Sequence, residues 1–423
     1  MKSPPGNPTA GKRRPALVPA RGAAVLAAAL LLVACGAGGG ETAGREAPAD
    51  APAPASFQPV GDNAGNGVAE RPLASVERPG GDWTMVSPES HGLDAALLAE
   101  GVRRIGAEPG TRTLLVVHRG ELVVEETFRG GRTDRPHNVK SVSKSLLGAA
   151  VGVALEQGVF TGLDQPLAEL LPDALPAGEE GRRKGAITLR HLLTQTPGLE
   201  PTSGEHYGAW VSSRNWVRAA LARPLLSPPG EDFRYSTGNT HLLSAALARA
   251  AGTTSRAFLE EHVAGPIGLD IADWARDPQG VHLGGNELST TPRDLARFAL
   301  LALGRGRWGE RQVVPEDWMQ ASLGRQTETT PEWQERYGDY GYLWWIPRTG
   351  TGSSEVQGRE VPGREAPSRE VLAAGYAGQF VWLVPEADLA VILTSDHQAK
   401  GAAWDERVLA TFRDHVLAAV PAG

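Results

Sequence analysis

The residues with the clearest chemical potential are a serine and a lysine three positions apart, Ser141 and Lys144, at the start of an apolar run. The run, 146–155, holds small and aliphatic residues and predicts a buried helix that ends near Gly158. Residues three apart share a helix face, so the Lys144 amine can reach the Ser141 hydroxyl. A serine needs a neighbour that takes its proton, and a desolvated lysine has a lowered pKa that suits it for this. The pattern therefore indicates a serine nucleophile with a lysine base.

A purely structural interpretation of these two residues also stays open. Ser141 could cap a core helix, and Lys144 could extend its amine to water along the helix surface. A serine and a lysine at this spacing also occur together by chance in a chain of 423 residues. The rest of the chain must therefore separate the two interpretations.

A third candidate, Tyr235, follows a Pro-Gly turn at 229–230 and precedes small polar residues and an apolar helix. A tyrosine held between cations ionises more readily and can move a proton between a serine and a leaving group. The alternative is a tyrosine whose ring fills space and whose hydroxyl has a structural partner. His191, in a short helix that Thr188 is predicted to cap, is interpreted as a packed histidine rather than a base.

The composition is that of a globular protein with 41% hydrophobic and 22% charged residues. Its length allows one large or two medium domains. The formal charge of -7 and the lack of a sustained Lys/Arg face argue against a nucleic-acid partner. The single cysteine, Cys35, excludes an internal disulfide.

The N-terminus has the features of an export signal. Basic residues precede the apolar run 23–33, which is too short to span a bilayer comfortably and is followed by Ala34 and Cys35 at its end. This end resembles the lipobox of bacterial lipoproteins, which implies an exported protein that is anchored in the cell envelope through a lipid on Cys35. A plain secretory signal cut near Ala34, or an anchor helix, is the alternative. Removal of residues 1–34 would take away five cations and no acid, and would change the charge from -7 to -12.

The rest of the chain divides into a linker and a folded region. Residues 35–81 are rich in Gly, Ala and Pro with almost nothing to bury, which predicts a disordered linker, whereas 82–423 is predicted to be one catalytic domain. Strands are expected at both ends of this domain and helices in its middle, which indicates an α+β fold whose sheet is assembled from both ends of the chain. The expected elements are a hairpin at 113–118 and 121–125, helices within 210–303, a strand at 340–346, a mobile loop at 348–369, a hairpin at 380–384 and 389–393, and a helix at 404–420.

Five motifs recur in a characteristic order. They are Ser141 with Lys144, Thr-Gln-Thr-Pro-Gly-Leu at 194–199, Pro-Gly-x-x-Phe-x-Tyr-Ser at 229–236, Thr-Pro-Arg-Asp-Leu-Ala-Arg-Phe at 291–298, and Gly-Tyr-Ala-Gly-Gln at 375–379. Together they resemble the serine beta-lactamase-related hydrolases over roughly residues 83 to 420. The resemblance is strongest to the branch with class C beta-lactamases, D-alanyl-D-alanine carboxypeptidases, family VIII esterases and aminohexanoate-oligomer hydrolases.

The resemblance implies roles for the site residues. Ser141 would be the acylated nucleophile, Lys144 its activating neighbour and Tyr235 the general base and acid. The backbone N–H groups of Ser141 and Tyr376 would form the oxyanion hole. No metal or organic cofactor is implied. The implied fold is penicillin-binding-protein-like, with an antiparallel sheet, helices on both faces and a helical subdomain.

Two family motifs are altered in this chain. The family's Tyr-x-Asn element reads Tyr-Ser-Thr at 235–237, with Asn239 nearby, and its Lys-Thr-Gly element reads Ala-Ala-Gly at 373–375. In the family that the chain resembles, the lysine of this element helps to hold a substrate carboxylate. Its loss here favours neutral esters or amides as substrates over penicillins and peptides. The substrate-binding candidates are Thr237, Asn239, Gly375, Gln379 and Trp344, and further aromatic pocket candidates are Trp210, Trp216, Tyr342 and Trp345.

The sequence thus predicts a serine hydrolase that cleaves a small-molecule ester or amide through an acyl-enzyme on Ser141. Two alternatives remain at this stage. One is a carboxypeptidase or beta-lactamase that acts on cell-wall peptides or penicillins, and the other is an envelope lipoprotein that binds a ligand without catalysis.

Overall fold

The structure is a computed structural model that describes residues 83–348, 355–356, 359–360, 369–396, 398–399 and 401–421. The predicted signal, the linker and Cys35 lie outside the described residues. Most of the expected loop at 348–369 also lies outside them, apart from two short paired strands at 355–356 and 359–360.

A seven-stranded antiparallel sheet forms the centre of the fold, with the strand order β2-β1-β14-β13-β12-β9-β8. Its strands come from both ends of the described chain, as the sequence predicts. The strands in chain order are β1 Thr111–His118, β2 Glu121–Thr127, β3 His137–Asn138, β4 Asp273–Trp274, β5 Leu288–Thr290, β6 Arg307–Trp308, β7 Arg311–Gln312, β8 Asp339–Tyr340, β9 Trp345–Ile346, β10 Glu355–Val356, β11 Arg359–Glu360, β12 Val371–Gly375, β13 Gln379–Val384 and β14 Leu389–Ser395.

Both predicted hairpins are confirmed. Strands β1 and β2 pair across Arg119 and Gly120, which both have positive φ, as a tight two-residue hairpin requires. Strands β13 and β14 pair across 385–388, and every residue in these two strands is buried. A strand buried on both faces needs layers on both sides, which accounts for its nearly continuous apolar sequence. Helices cover the sheet on both faces in the α+β arrangement.

Most of the helices come after β2 and before β12 in the chain. The helices are α1 Ala95–Ala107, α2 Ser143–Glu156, α3 Leu167–Leu170, α4 Gly178–Gly185, α5 Leu189–Leu193, α6 Tyr207–Val211, α7 Trp216–Leu221, α8 Thr237–Ala251, α9 Ser255–Leu259, α10 Pro292–Leu303, α11 Glu316–Ser322, α12 Pro331–Tyr337 and α13 Ala402–Thr411. Within the described ranges, no helix combines the length and the apolar character that a membrane span requires.

The strand predicted at 340–346 is wrong in one respect, because the chain reverses inside it. Strands β8 and β9 are two residues each and pair antiparallel, and Leu343 between them has φ +64°. A Cβ on Gly341 would lie only 2.1 Å from the Ser322 carbonyl oxygen, so this bend requires glycine. The apolar, aromatic run predicts burial but carries no information about the reversal.

The last predicted helix is confirmed with a change of geometry. Helix α13 continues into a π-helical segment, Phe412–Leu417, and these two pieces cover most of the range 404–420. His191 also follows its prediction. Its Nδ1 accepts the Thr188 backbone N–H at 3.2 Å and completes a capping box at the start of α5.

Candidate active site

The start of helix α2 brings Ser141 and Lys144 together. Ser141 lies in a 3-10 turn, Lys140–Val142, directly before α2, and Lys144 lies in the first turn of α2. The Lys144 Nζ is 3.0 Å from the Ser141 Oγ. Ser141 is partly exposed, whereas every residue from Ser143 to Leu155 is buried. A substrate carbonyl can therefore approach the hydroxyl while the amine stays out of water.

Burial controls the protonation of Lys144. Desolvation lowers the pKa of its amine from 10.5 to about 7, because the charged form loses its hydration. The Nζ also lies 2.7 Å from the Gly285 carbonyl oxygen and 3.5 Å from the Thr237 Oγ1. A neutral amine has two N–H donors for these two acceptors, which leaves its lone pair for the hydroxyl proton of Ser141. This arrangement suits a general base near neutral pH.

The approach of Gly285 to Lys144 depends on its lack of a side chain. A Cβ at this position would lie 2.0 Å from the Thr240 Oγ1 and 2.8 Å from the Lys144 Nζ. No role was predicted for Gly285, although the Gly-Gly pair at 284–285 is a signal of close backbone approach.

Tyr235 lies beside the same two groups. Its hydroxyl forms a hydrogen bond with Ser141, and the Lys144 Nζ is 5.0 Å from the centroid of its ring. Burial raises the pKa of the phenol to about 12, and the hydrogen bond to Ser141 opposes this only in part. The expectation that cations would help Tyr235 to ionise is therefore wrong, because the neighbouring amine is itself driven towards its neutral form. A neutral phenol in this position can donate a proton.

Gln195 positions the backbone on either side of Tyr235. Its Oε1 accepts hydrogen bonds from the backbone N–H of Ser236 and from the Asn239 Nδ2, both at 2.8 Å. Its backbone oxygen accepts the N–H of Arg234 at 2.7 Å. Gln195 is fully buried, so these hydrogen bonds are shielded from water. Its backbone has φ +61°, in the left-handed region. It lies within the motif at 194–199, but no role for it was predicted.

Two side chains from a distant segment cap the start of α8. The Thr202 Oγ1 accepts the N–H of Gly238, and the Ser203 Oγ accepts the N–H of Thr237, both at 2.8 Å. Ser203 also donates its hydroxyl to the Thr237 Oγ1 at 3.3 Å. The helix therefore begins at Thr237 without a side-chain cap from Ser236, and the segment of Tyr235 is fixed to the segment 202–203. Local sequence carried no sign of these caps.

Three predicted substrate contacts are not supported by their positions. The Nδ2 of Asn239 donates to the Gln195 Oε1 and to the Arg234 carbonyl oxygen at 3.2 Å. The Nε2 of Gln379 donates to the carbonyl oxygens of Ala377 at 2.8 Å and Ser395 at 2.7 Å. Both residues are buried, and their amides tie the backbone together. Trp344 is also buried and stacks on Phe298 in the core, with ring centroids 5.8 Å apart.

The remaining candidates lie near Ser141. Thr237 contacts Lys144, as described above. Gly375 ends strand β12, and a Cβ on it would lie 2.5 Å from the Val139 carbonyl oxygen, next to the turn that carries Ser141. Tyr376 follows directly, with a side chain that is 65% exposed. Two backbone N–H groups from facing segments are the usual form of an oxyanion hole, and this role for Ser141 and Tyr376 stays a prediction.

The predicted aromatic pocket residues have different environments. Trp345 is buried and stacks on the ring of Tyr235, with centroids 5.4 Å apart. Tyr342 is buried and stacks on Trp318. Trp210 and Trp216 pack against each other and against His241 in the helical region. Of these four, only Trp345 contacts Tyr235.

The charged residues next to Ser141 compensate each other. The Lys140 Nζ lies 2.9 Å from the Glu287 Oε1, and Asn138 donates a further hydrogen bond to Glu287. Ala373, which the resemblance matches to the lysine of Lys-Thr-Gly, is buried in strand β12. This balance of charges is compatible with a neutral substrate.

The chain is similar to known proteins in sequence and in fold. The model of a family described as Beta-lactamase matches residues 95–412. The 6-aminohexanoate-dimer hydrolase of Paenarthrobacter ureafaciens is 25% identical over 297 residues, which cover 66% of this chain and 71% of that protein.

Solved structures support the same fold at lower sequence identity. A class C beta lactamase from Rhodobacter sphaeroides superposes with a TM-score of 0.55 at 17% identity, over 76% of this chain and 99% of the other. EstCE1, described as a hydrolase with promiscuous acyltransferase activity, superposes with a TM-score of 0.57 at 18% identity, over 75% and 96% of the two chains.

Proposed function

Because the chain belongs to the Beta-lactamase family of hydrolases, we propose that it is a serine hydrolase that cleaves an ester or amide through a covalent acyl-enzyme on Ser141. One observation carries the proposal. The amine of Lys144, with its pKa lowered to about 7, lies 3.0 Å from the hydroxyl of a partly exposed serine. A general base transfers protons most effectively when its pKa lies near the working pH.

Acylation follows from these positions. Neutral Lys144 takes the hydroxyl proton of Ser141 while the Oγ forms a bond to the substrate carbonyl carbon. The backbone N–H groups of Ser141 and Tyr376 stabilise the tetrahedral oxyanion. The carbonyl forms again as the bond to the leaving group breaks. Tyr235 donates its phenolic proton to the departing oxygen or nitrogen and recovers a proton from the Lys144 ammonium.

Deacylation uses the same groups in the reverse direction. The phenol and amine relay a proton from an incoming water to Ser141 as the water oxygen bonds to the acyl carbon and the ester bond to Oγ breaks. The products are a free acid and the regenerated enzyme. No further reactant is required.

A fluorophosphonate probe tests the nucleophile. The wild-type protein should be labelled at Ser141, and Ser141→Ala should remain unlabelled. Ser143→Ala is the matched control, because Ser143 lies in the same region but its hydroxyl donates to the Lys140 carbonyl oxygen at 2.6 Å. A wild-type protein that is not labelled would contradict the proposal and would favour a binding protein without catalysis.

Neutral short-chain esters or amides are the proposed substrate class. The loss of the Lys-Thr-Gly lysine and the pairing of Lys140 with Glu287 support this choice over substrates with a carboxylate. Turnover of nitrophenyl esters without stable labelling by a fluorescent penicillin is expected. Stable penicillin labelling would instead favour a carboxypeptidase or beta-lactamase that acts on cell-wall peptides or penicillins.

We also propose that the protein is exported and anchored in the bacterial cell envelope through a lipid on Cys35. The basic and apolar residues before Cys35 support this proposal. Metabolic labelling with an alkyne fatty acid should tag the wild-type protein in the membrane fraction, and Cys35→Ser should lose the tag. Label retained in Cys35→Ser would contradict this anchor.

A further inference from the structure

Helix α12 carries Trp333, whose ring lies beside that of Tyr235 and for which the sequence predicted no role. The ring centroid of Trp333 is 5.4 Å from that of Tyr235 and 5.1 Å from that of Trp345. Tyr235 and Trp345 stack on each other at 5.4 Å. These three rings form one continuous surface, which we call the aromatic wall. Trp333 and Tyr235 are partly exposed, so the wall is open to solvent beside the reactive hydroxyls.

The helix that carries Trp333 is bound to a buried carboxylate through two of its other residues. The hydroxyl of Tyr337 donates to the Asp405 Oδ2 at 2.6 Å, and the Nε of Arg336 donates to the same oxygen at 3.0 Å. Asp405 belongs to α13 and is buried. The ring of Trp333 therefore belongs to a helix that is bound to a second helix, and little of its freedom remains to be lost when a ligand binds.

The geometry of Tyr235 decides which part of a substrate meets this wall. In the proposed function, on which this inference rests, the Tyr235 hydroxyl protonates the leaving group. The leaving group must then lie within hydrogen-bonding distance of that hydroxyl, on the side of the site where Trp333 packs. The acyl group is instead bonded to the Ser141 Oγ, in the turn before α2.

We propose that Trp333 is a specificity-determining residue that forms the leaving-group subsite and favours esters or amides with a planar, apolar leaving group. Flat rings bind such a surface through stacking and burial of apolar area, and the fixed indole adds little entropy loss. A small alkyl leaving group covers less of the indole and gains less from it.

Three variants on a panel of three esters test this subsite. Benzyl butyrate and ethyl butyrate differ only in the leaving group, whereas benzyl butyrate and benzyl acetate differ only in the acyl group. The wild-type protein should prefer the benzyl ester to the ethyl ester in kcat/KM. Trp333→Ala should reduce this preference about 10-fold, mainly through KM, and should change the butyrate-to-acetate preference less than about 2-fold.

Two further variants keep the test informative if Trp333→Ala is poorly folded. Trp333→Phe keeps a ring and should retain most of the preference. Asp405→Asn weakens the support of α12 and should reduce the preference about 3-fold without removal of the indole. Equal losses for benzyl and ethyl esters, or a changed acyl preference, would overturn the assignment of the subsite.

Binding to the inactive protein separates this inference from the proposed function. Ser141→Ala should bind benzyl butyrate in a saturation-transfer NMR experiment, and Ser141→Ala with Trp333→Ala should bind it about 10-fold more weakly. Wild-type protein that cleaves no ester, combined with binding that depends on Trp333, would defeat the catalytic proposal alone. Ester cleavage with an unchanged leaving-group preference in Trp333→Ala would defeat the subsite alone.

Discussion

Two regions of the molecule supply the candidate site, and burial shifts the pKa values of their reactive groups in opposite directions. The start of α2 carries Ser141 and Lys144, and packing lowers the pKa of the Lys144 amine to about 7. The segment before α8 carries Tyr235, and packing raises the pKa of its phenol to about 12. Burial favours the uncharged form of any group, so a base is created in the first region and an acid is preserved in the second.

The two regions also differ in how they are built. Ser141 and Lys144 meet because residues three apart share a helix face. Tyr235 reaches them because Gln195, Thr202 and Ser203 bind the backbone on both sides of it. Local spacing suffices for the first pair, while the second region depends on hydrogen bonds between distant segments. Variants can therefore break each region by a different route.

The largest effect is expected from Lys144→Met, which removes the base and keeps much of the side-chain volume. The value of kcat/KM should fall by about 10³-fold, in the middle of the range for a general base. Hydrolysis of a nitrophenyl ester measures the loss. Activity within about 10-fold of wild type would show that another group takes the serine proton.

The same variant should be more stable, because the folded protein no longer buries an amine. The pKa of Lys144 is 10.5 as its ordinary value and about 7 in the fold. The unfolded state therefore binds more protons between these values, so this residue makes wild-type stability rise as pH increases from about 7 to 10.5. At pH 7 or below, Lys144→Met should gain on the order of 2–5 kcal/mol in the free energy of unfolding.

Urea unfolding at pH 6.5 and pH 9.5 measures this difference. The advantage of the variant over wild type should shrink at the higher pH. An advantage that is the same at both pH values would mean that desolvation of the amine is not its source.

The next largest effect is expected from Tyr235→Phe, which removes the acid and keeps the stacked ring. The value of kcat/KM should fall by about 10²-fold, because only the phenolic proton is lost. The wild-type rate should increase with pH through an apparent pKa near 7, since protonated Lys144 is inactive. That increase should persist in Tyr235→Phe, and its disappearance would assign the titration to the tyrosine instead.

A smaller effect is expected when the contact between Lys144 and the backbone of Gly285 is crowded. In Gly285→Ala the new methyl would lie 2.8 Å from the Lys144 Nζ, so the amine must move and kcat should fall by about 10-fold. The control is Gly208→Ala, whose Cβ would meet no atom within 4 Å. Equal activity in both variants would mean that the Gly285 carbonyl does not position the amine.

The smallest catalytic effect is expected from Asn239→Ala in the supporting layer. Loss of its hydrogen bonds to Gln195 and Arg234 should lower the free energy of unfolding by about 1–3 kcal/mol and leave KM within about twofold of wild type. Chemical denaturation and ester kinetics measure the two quantities. A large increase in KM without a loss of stability would restore the prediction that Asn239 contacts substrate.

The amino-acid sequence was sufficient to predict those features that depend on neighbouring residues in the chain. The spacing of Ser141 and Lys144, the Arg119-Gly120 hairpin and the buried helix after Ser141 all follow from local periodicity and turn chemistry. The order of the motifs also identified the family and its fold. The residue pair, the hairpin and the helix can each be recognised within a short window, and the order of the motifs can be read along the chain without knowledge of the fold.

Tertiary structure decided the rest, because burial and convergence depend on which distant residues pack together. It raised the pKa of Tyr235, whereas the sequence predicted that this phenol would ionise more readily. It also placed the Gly285 carbonyl against Lys144. It turned the amides of Asn239 and Gln379 towards backbone atoms, and it laid Trp333 over Tyr235. A residue's type fixes the chemistry it can perform, whereas its desolvation and its partners are fixed only when the chain has folded.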